Sequence, residues 1–162
     1  MIITKLVMAG LVSAALLGAV VPAHAADELN VVPGLSIIGA PLALHGYDPV
    51  AYFTQGQPVR GRDALAHVHQ GVAYRFSNQA HLDSFKQDPE RYLPQYGGFC
   101  AYGVSVGKKF DGDPHLWKIE DGKLYLNLNE EIYATFLEDL DDNIEKAERN
   151  WPDIKHEAAK DL

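Results

Sequence analysis

The sequence predicts an α+β fold in one small domain with two β-hairpins, short helices and a C-terminal helix. Three observations carry this. Short strand-like segments meet in pairs at Gly71 and at Asp121-Gly122, the second being a strong two-residue hairpin signal. Short stretches of helical character lie between and before those pairs, and a long run with apolar residues at i+3/i+4 spacing follows them. The length of 162 residues suits a single domain, and 47% hydrophobic with 22% charged residues suits a folded one.

Residues 1–25 read as a cleavable export signal. Lys5 provides the positive start, Leu6 to Val21 is apolar, Pro22 interrupts the run, and Ala23-His24-Ala25 offers a small-x-small cleavage site. The apolar run, about 16 residues, is shorter than the ~20 needed to span a bilayer, so no membrane span is expected in the mature protein. No cysteine stands there for lipid attachment. The expected location is therefore the bacterial periplasm. Residues 26–45, with Pro33, Gly34, Gly39 and Pro41, are expected to form an extended arm that lies on the domain or begins a strand.

Asp48 followed by Pro49 predicts a helix start, with an acceptor at the N-cap and a preset φ at the first helical position. Val50, Tyr52 and Phe53 make the element short and aromatic, ending at Gly56, before a loop with Pro58 and two arginines. Ala64–Gln70 and Val72–Phe76 are the first hairpin. Ser77 is the predicted cap of a helix to about Gln87, which Asp88-Pro89 stops and follows with a short turn carrying Tyr92. Pro94 to Gly107 shows neither helical nor strand period. Leu116–Glu120 and Lys123–Leu128 form the second hairpin, with Leu124, Leu126 and Leu128 on the core face and Tyr125, Asn127 and Asn129 on the other. Ile132, Phe136, Leu140, Ile144, Ala147 and Trp151 predict the C-terminal helix, with a break allowed at Asp142 and an end at Pro152. The polar tail, residues 152–162, is expected to fray.

A formal net charge of −8 argues against nucleic acid or an anionic membrane surface as the main partner, because no basic excess exists to neutralise phosphates. The single cysteine, Cys100, excludes an internal disulfide framework and an all-cysteine zinc site. Its glycine neighbours, Gly97, Gly98 and Gly103, allow a sharp turn that would present a thiolate suited to Cu(I) or zinc, with imidazole as co-ligand. Buried packing explains a lone thiol equally well. His67 and His69 share one strand face, His81 lies on the helix after Ser77, and His45 and His115 flank turns. The run Glu138, Asp139, Asp141, Asp142 lacks the EF-hand spacing, and Gly103 to Lys109 lacks the Ser/Thr of a phosphate-binding loop. No hydrolase or dinucleotide motif is present.

From Gly46 to Trp151 the order of motifs resembles the YHS domain family in its exported, stand-alone branch. The resemblance rests on Gly46-Tyr47-Asp48-Pro49-Val50-Ala51-Tyr52-Phe53, Tyr74-Arg75-Phe76-Ser77, Phe85, Asp88-Pro89 and Tyr92. It continues through Pro94-Gln95-Tyr96-Gly97-Gly98-Phe99-Cys100-Ala101-Tyr102-Gly103, Gly112-Asp113-Pro114, Trp117 and Asp121-Gly122-Lys123-Leu124-Tyr125-Leu126-Asn127. It implies a small α+β unit over residues 46–151 and an association with heavy-metal handling. Some members of that branch are selenoproteins, which implies redox chemistry on a chalcogen. Many YHS domains carry paired cysteines, whereas this chain has one, so any ion would need histidine, carboxylate or a second protomer.

Three functions follow as expectations. The leading one is a non-enzymatic protein that captures or hands over a thiophilic metal ion, copper in the first place and zinc as the alternative, through Cys100 with His81 and His115, to or from a periplasmic partner protein. The second is a thiol redox protein in which Cys100 cycles through sulfenic acid or a mixed disulfide. The third is a small-molecule binder with an aromatic pocket built from Tyr47, Tyr52, Tyr96, Tyr102 and Trp117.

Overall fold

The computed structural model of the chain describes residues 27–33 and 36–162, so the export signal lies outside the described residues. Within them the N-terminal arm is built into a sheet. Its segments β1 (Val31–Val32) and β2 (Leu42–Ala43) pair antiparallel, and β2 runs parallel to the second strand of the first hairpin. That hairpin is β3 (Arg62–His69) and β4 (Val72–Phe76), giving a sheet of order β1-β2-β4-β3. Gln70 and Gly71 turn it with φ of 49° and 82°, the left-handed geometry that matches strand twist. The second hairpin, β5 (Asp113–Glu120) and β6 (Lys123–Asn127), turns at Asp121 and Gly122 in the same way. The chain is a small single α+β domain, as the sequence predicts.

The helices follow the sequence with local differences. In α1 (Pro49–Thr54) the Asp48 carboxylate accepts from the Val50 amide, the predicted cap. The next helix, α2 (Gln79–Gln87), is capped by Asn78 instead of the predicted Ser77. Ser77 is unavailable because both its amide and its hydroxyl donate to Asp48. The stretch expected to lack periodicity contains α3 (Ala101–Ser105), five residues that are too short to register as a period. The C-terminal helix breaks in two, α4 (Glu130–Glu138) and α5 (Leu140–Ile154), but at Asp139 rather than Asp142. Pro152 lies inside α5 and does not end it. Near the last turn a missing N–H costs one bond only, and the Lys155 amide still reaches the Trp151 carbonyl at 2.9 Å.

Two hydrophobic cores share β6 as a common wall. Leu124 and Leu126 face the first, with Val50, Tyr52, Tyr74, Phe76 and Phe85. Tyr125 faces the second, with Tyr96, Val104, Phe136 and Ala147. The period-two alternation read from the sequence is present, yet both faces are covered: Leu124, Tyr125, Leu126 and Asn127 are all buried. Pro94 and Cys100 extend the pairing with parallel bridges to Leu124 and Leu126. Each fully buried aromatic or leucine contributes about 1.5–3 kcal/mol, so this central strand anchors both halves.

The tail that the sequence left to fray is tied down. Lys109, only 3% exposed, donates its ammonium hydrogens to the carbonyls of Asp27, Lys155 and Glu157 at 2.6–2.8 Å. It also stands over the rings of Phe99 and Trp151 at 5.3 and 5.4 Å, a cation–π arrangement. One side chain thus fastens the start of the arm to the end of α5.

Candidate functional site

An open polar cavity is built beside an unusual backbone turn. Leu44, His45 and Gly46 have consecutive positive φ values of 51°, 50° and 80°. For the leucine and histidine this left-handed geometry costs of order 1 kcal/mol or more, and such strain clusters at functional sites. It turns the chain out of β2 and delivers Tyr47, which forms a bridge to Arg60. Below this turn Asp48 is 0% exposed and accepts four hydrogen bonds: from Val50 N, Ser77 N, Ser77 Oγ and His81 Nδ1. The far ring nitrogen of His81 meets Thr54 Oγ1 at 3.1 Å. This buried network holds the 44–48 segment against α1 and α2.

Above it opens a cavity of about 330 Å³ lined by His45, Tyr47, Arg60, Asp111, Asp113, Pro114, His115 and Leu128. Its walls are braced from several elements. His45 Nε2 contacts Asp111 Oδ1 at 2.9 Å, and the same oxygen accepts from Asn30 of the arm at 2.6 Å. Arg60 Nη1 donates to the His45 carbonyl at 2.7 Å, and its guanidinium stacks over Tyr47 at 4.9 Å. The Tyr47 hydroxyl meets His115 Nε2 at 2.8 Å, with the two rings edge to face. Asp113 accepts from the His115 amide at 2.8 Å and so shapes the entry to β5. Guanidinium, imidazole, phenol and carboxylate therefore converge on one opening, with Pro114 and Leu128 as its apolar wall.

The structure holds the three predicted ligands by separate partners. Cys100 is 0% exposed. Its sulfur caps α3 by accepting from Gly103 N at 3.3 Å and points a weak bond at Asn127 Oδ1, 3.7 Å away. Burial pushes the thiol above its ordinary value, against smaller opposing hydrogen bonds, so the reactive thiolate is disfavoured. His81 is committed to Asp48 and Thr54, and His115 to Tyr47. Among the described residues no group of three or more His, Cys, Asp or Glu side chains is arranged to hold a metal ion. His67 and His69 do share a strand face, both edge-on to Phe85.

The five aromatics expected to form one pocket are distributed. Tyr52 and Trp117 stack edge to face in the first core. Tyr96 and Tyr102 belong to the second. Only Tyr47 borders the open cavity. The sequence passed over Arg60, Asp111 and Asp113 as site residues. Gly112-Asp113-Pro114 stood within the family-like motifs, but nothing local marked Arg60 or Asp111, which reach the cavity only through the turn at 44–46 and the arm.

Compared with protein-family models, curated proteins and solved structures, the chain matches none of them. The resemblance to YHS domains therefore rests on the sequence motifs alone. Among the described residues no helix is long and apolar enough to cross a membrane.

Proposed function

We propose that this chain is an exported, YHS-like binding protein that takes up a small polar molecule in the cavity beside Tyr47. The observation that carries this reading is the cavity itself. About 330 Å³ lies at the lower end of small-molecule sites, roughly 300–1,000 Å³, and its polar groups converge from three separate segments, 45–47, 60 and 111–115. The metal and thiol-redox readings both need Cys100 to meet an ion or a partner. With that sulfur sealed at 0% exposure and its thiol form favoured, either would require the α3 cap to open first. The export signal and family likeness support a periplasmic setting for the ligand.

Calorimetry and thermal shift against a panel of small organic acids, amines, sugars and amino acids test the proposal. At least one compound is expected to stabilise the protein, by about 2.7 kcal/mol at a hundredfold excess over Kd. Tyr47→Phe, which frees His115 from its hydroxyl partner, is expected to weaken binding about tenfold, or about 1.4 kcal/mol. A panel without a single binder, or binding that ignores both Tyr47→Phe and His115→Ala, overturns it.

A further inference from the structure

Two opposite charges face the cavity without neutralising each other. Among the described residues Arg60 makes no ion pair with a carboxylate, and Asp113 makes none with a cation. Arg60 spends one nitrogen on the His45 carbonyl and lays its plane on Tyr47. Asp113 spends one oxygen on the His115 amide. The remaining donors and the second carboxylate oxygen have no protein partner in the described residues. Asp111 differs, because its Oδ1 already serves Asn30 and His45.

A second guanidinium stands near the Gly46 turn without adding net charge. Nη1 of Arg75 and Nη1 of Arg60 lie 3.5 and 3.6 Å from the point where a Cβ would stand on Gly46. Arg75 is balanced by Asp63 at 2.6 Å, whereas Arg60 is not. The cavity therefore has an uncompensated guanidinium at the Gly46 side and an uncompensated carboxylate where β5 begins. A ligand carrying only a carboxylate would meet Asp111 and Asp113 as like charges, and a simple amine would meet Arg60.

Resting on the binding reading above, we propose that the ligand is a small zwitterion, an α-amino acid with a short aliphatic side chain. Its carboxylate pairs with Arg60, its ammonium with Asp113, and its side chain lies on Pro114 and Leu128. Charge-assisted hydrogen bonds at both ends satisfy the two groups that the protein leaves open, and the apolar wall of Pro114 and Leu128 suits a short aliphatic side chain.

The test is titration calorimetry on the full chain at neutral pH with L-alanine and L-valine. Propionate and ethylammonium are the matched probes lacking the amine or the carboxylate. The amino acids are expected to bind at least tenfold tighter than either probe. Asp113→Asn keeps an oxygen for the His115 amide and is expected to lower amino-acid affinity to the level of propionate, without weakening propionate itself. Arg60→Gln keeps a donor for the His45 carbonyl and is expected to remove propionate binding. Equal affinity for a probe and an amino acid, or amino-acid binding that neither variant changes, overturns the proposal. If the broader panel yields a binder at this pocket but no amino acid binds, the zwitterion proposal falls while the binding reading stands; if nothing binds, both fall.

Discussion

The Asp48 carboxylate organises more of the chain than its helix-cap role requires. It is fully buried and joins α1, the Ser77 corner and His81 of α2 through four hydrogen bonds. A buried carboxylate is tolerated only when its lone pairs are filled, and deleting it leaves several donors unpaired in a dry site. Asp48→Ala is expected to lower stability by about 3–5 kcal/mol, because it leaves several buried donors unpaired at about 1–3 kcal/mol each. Ser77→Ala, which removes one donor, is expected to cost about 1 kcal/mol. Urea unfolding with unchanged m-values measures both, and a loss under 1 kcal/mol for Asp48→Ala would show that water replaces the network. Cys100 has a structural contact of the same kind: its sulfur caps α3 and meets Asn127.

Among the elements, the left-handed turn at Tyr96, Gly97 and Gly98 decides how the arm is seated. Their φ values are 54°, 62° and 85°. The Gly97 carbonyl accepts from Asn30 N at 2.9 Å, and the Asn30 side chain donates to the Gly98 carbonyl and to Asp111. A Cβ on Gly97 would stand 1.8 Å from the Glu28 carbonyl oxygen, which is backbone and cannot simply swing away. Gly97→Ala is thus expected to unseat residues 27–32 while leaving both hairpins folded, since neither hairpin's pairing involves Gly97. Limited proteolysis should cut the variant within the arm much faster than the parent. Equal protection of the two proteins would mean that the β1–β2 pairing, Asn30–Asp111 and Lys109 hold the arm without the Gly97 turn. Because Asn30 also reaches Asp111, and through it His45, arm docking and the cavity wall are one connected piece.

Across the whole molecule, the density of buried tyrosine sets the response to alkali. Burial raises the pKa of Tyr52, Tyr74 and Tyr96 well above the ordinary phenol value, and pushes that of Tyr125 up to about 12. In the unfolded chain each ionises near pH ~10. Above that pH the unfolded state releases protons that the folded state retains, so stability falls as pH rises. Each such tyrosine contributes a slope of about 1.4 kcal/mol per pH unit up to its folded value. Their combined effect is a steep loss of stability above roughly pH 10 with little change just below it. Melting temperature against pH, followed with tyrosinate absorbance, checks this; tyrosines that ionise near pH ~10 while the protein stays folded would contradict it.

The hairpins, the Asp48-Pro49 helix start and the α+β class were legible in the sequence, because each depends on neighbours a few residues apart: φ > 0 at Asp121-Gly122, a side-chain acceptor before a proline, alternation along β6. A break in the C-terminal helix was legible but not its place at Asp139, since Asn143 stabilises the α4–α5 corner by donating to the Thr135 and Phe136 carbonyls, contacts that no local pattern announces. The cavity was the least legible part. Residues 45, 60, 111 and 113 meet there only because a strained turn, a two-residue bridge and an arm fastened by Asn30 bring distant segments together. Local chemistry chose the elements and the candidate side chains, whereas three-dimensional packing decided that the cysteine would be sealed and that an arginine and an aspartate would line one cavity without an ion-pair partner.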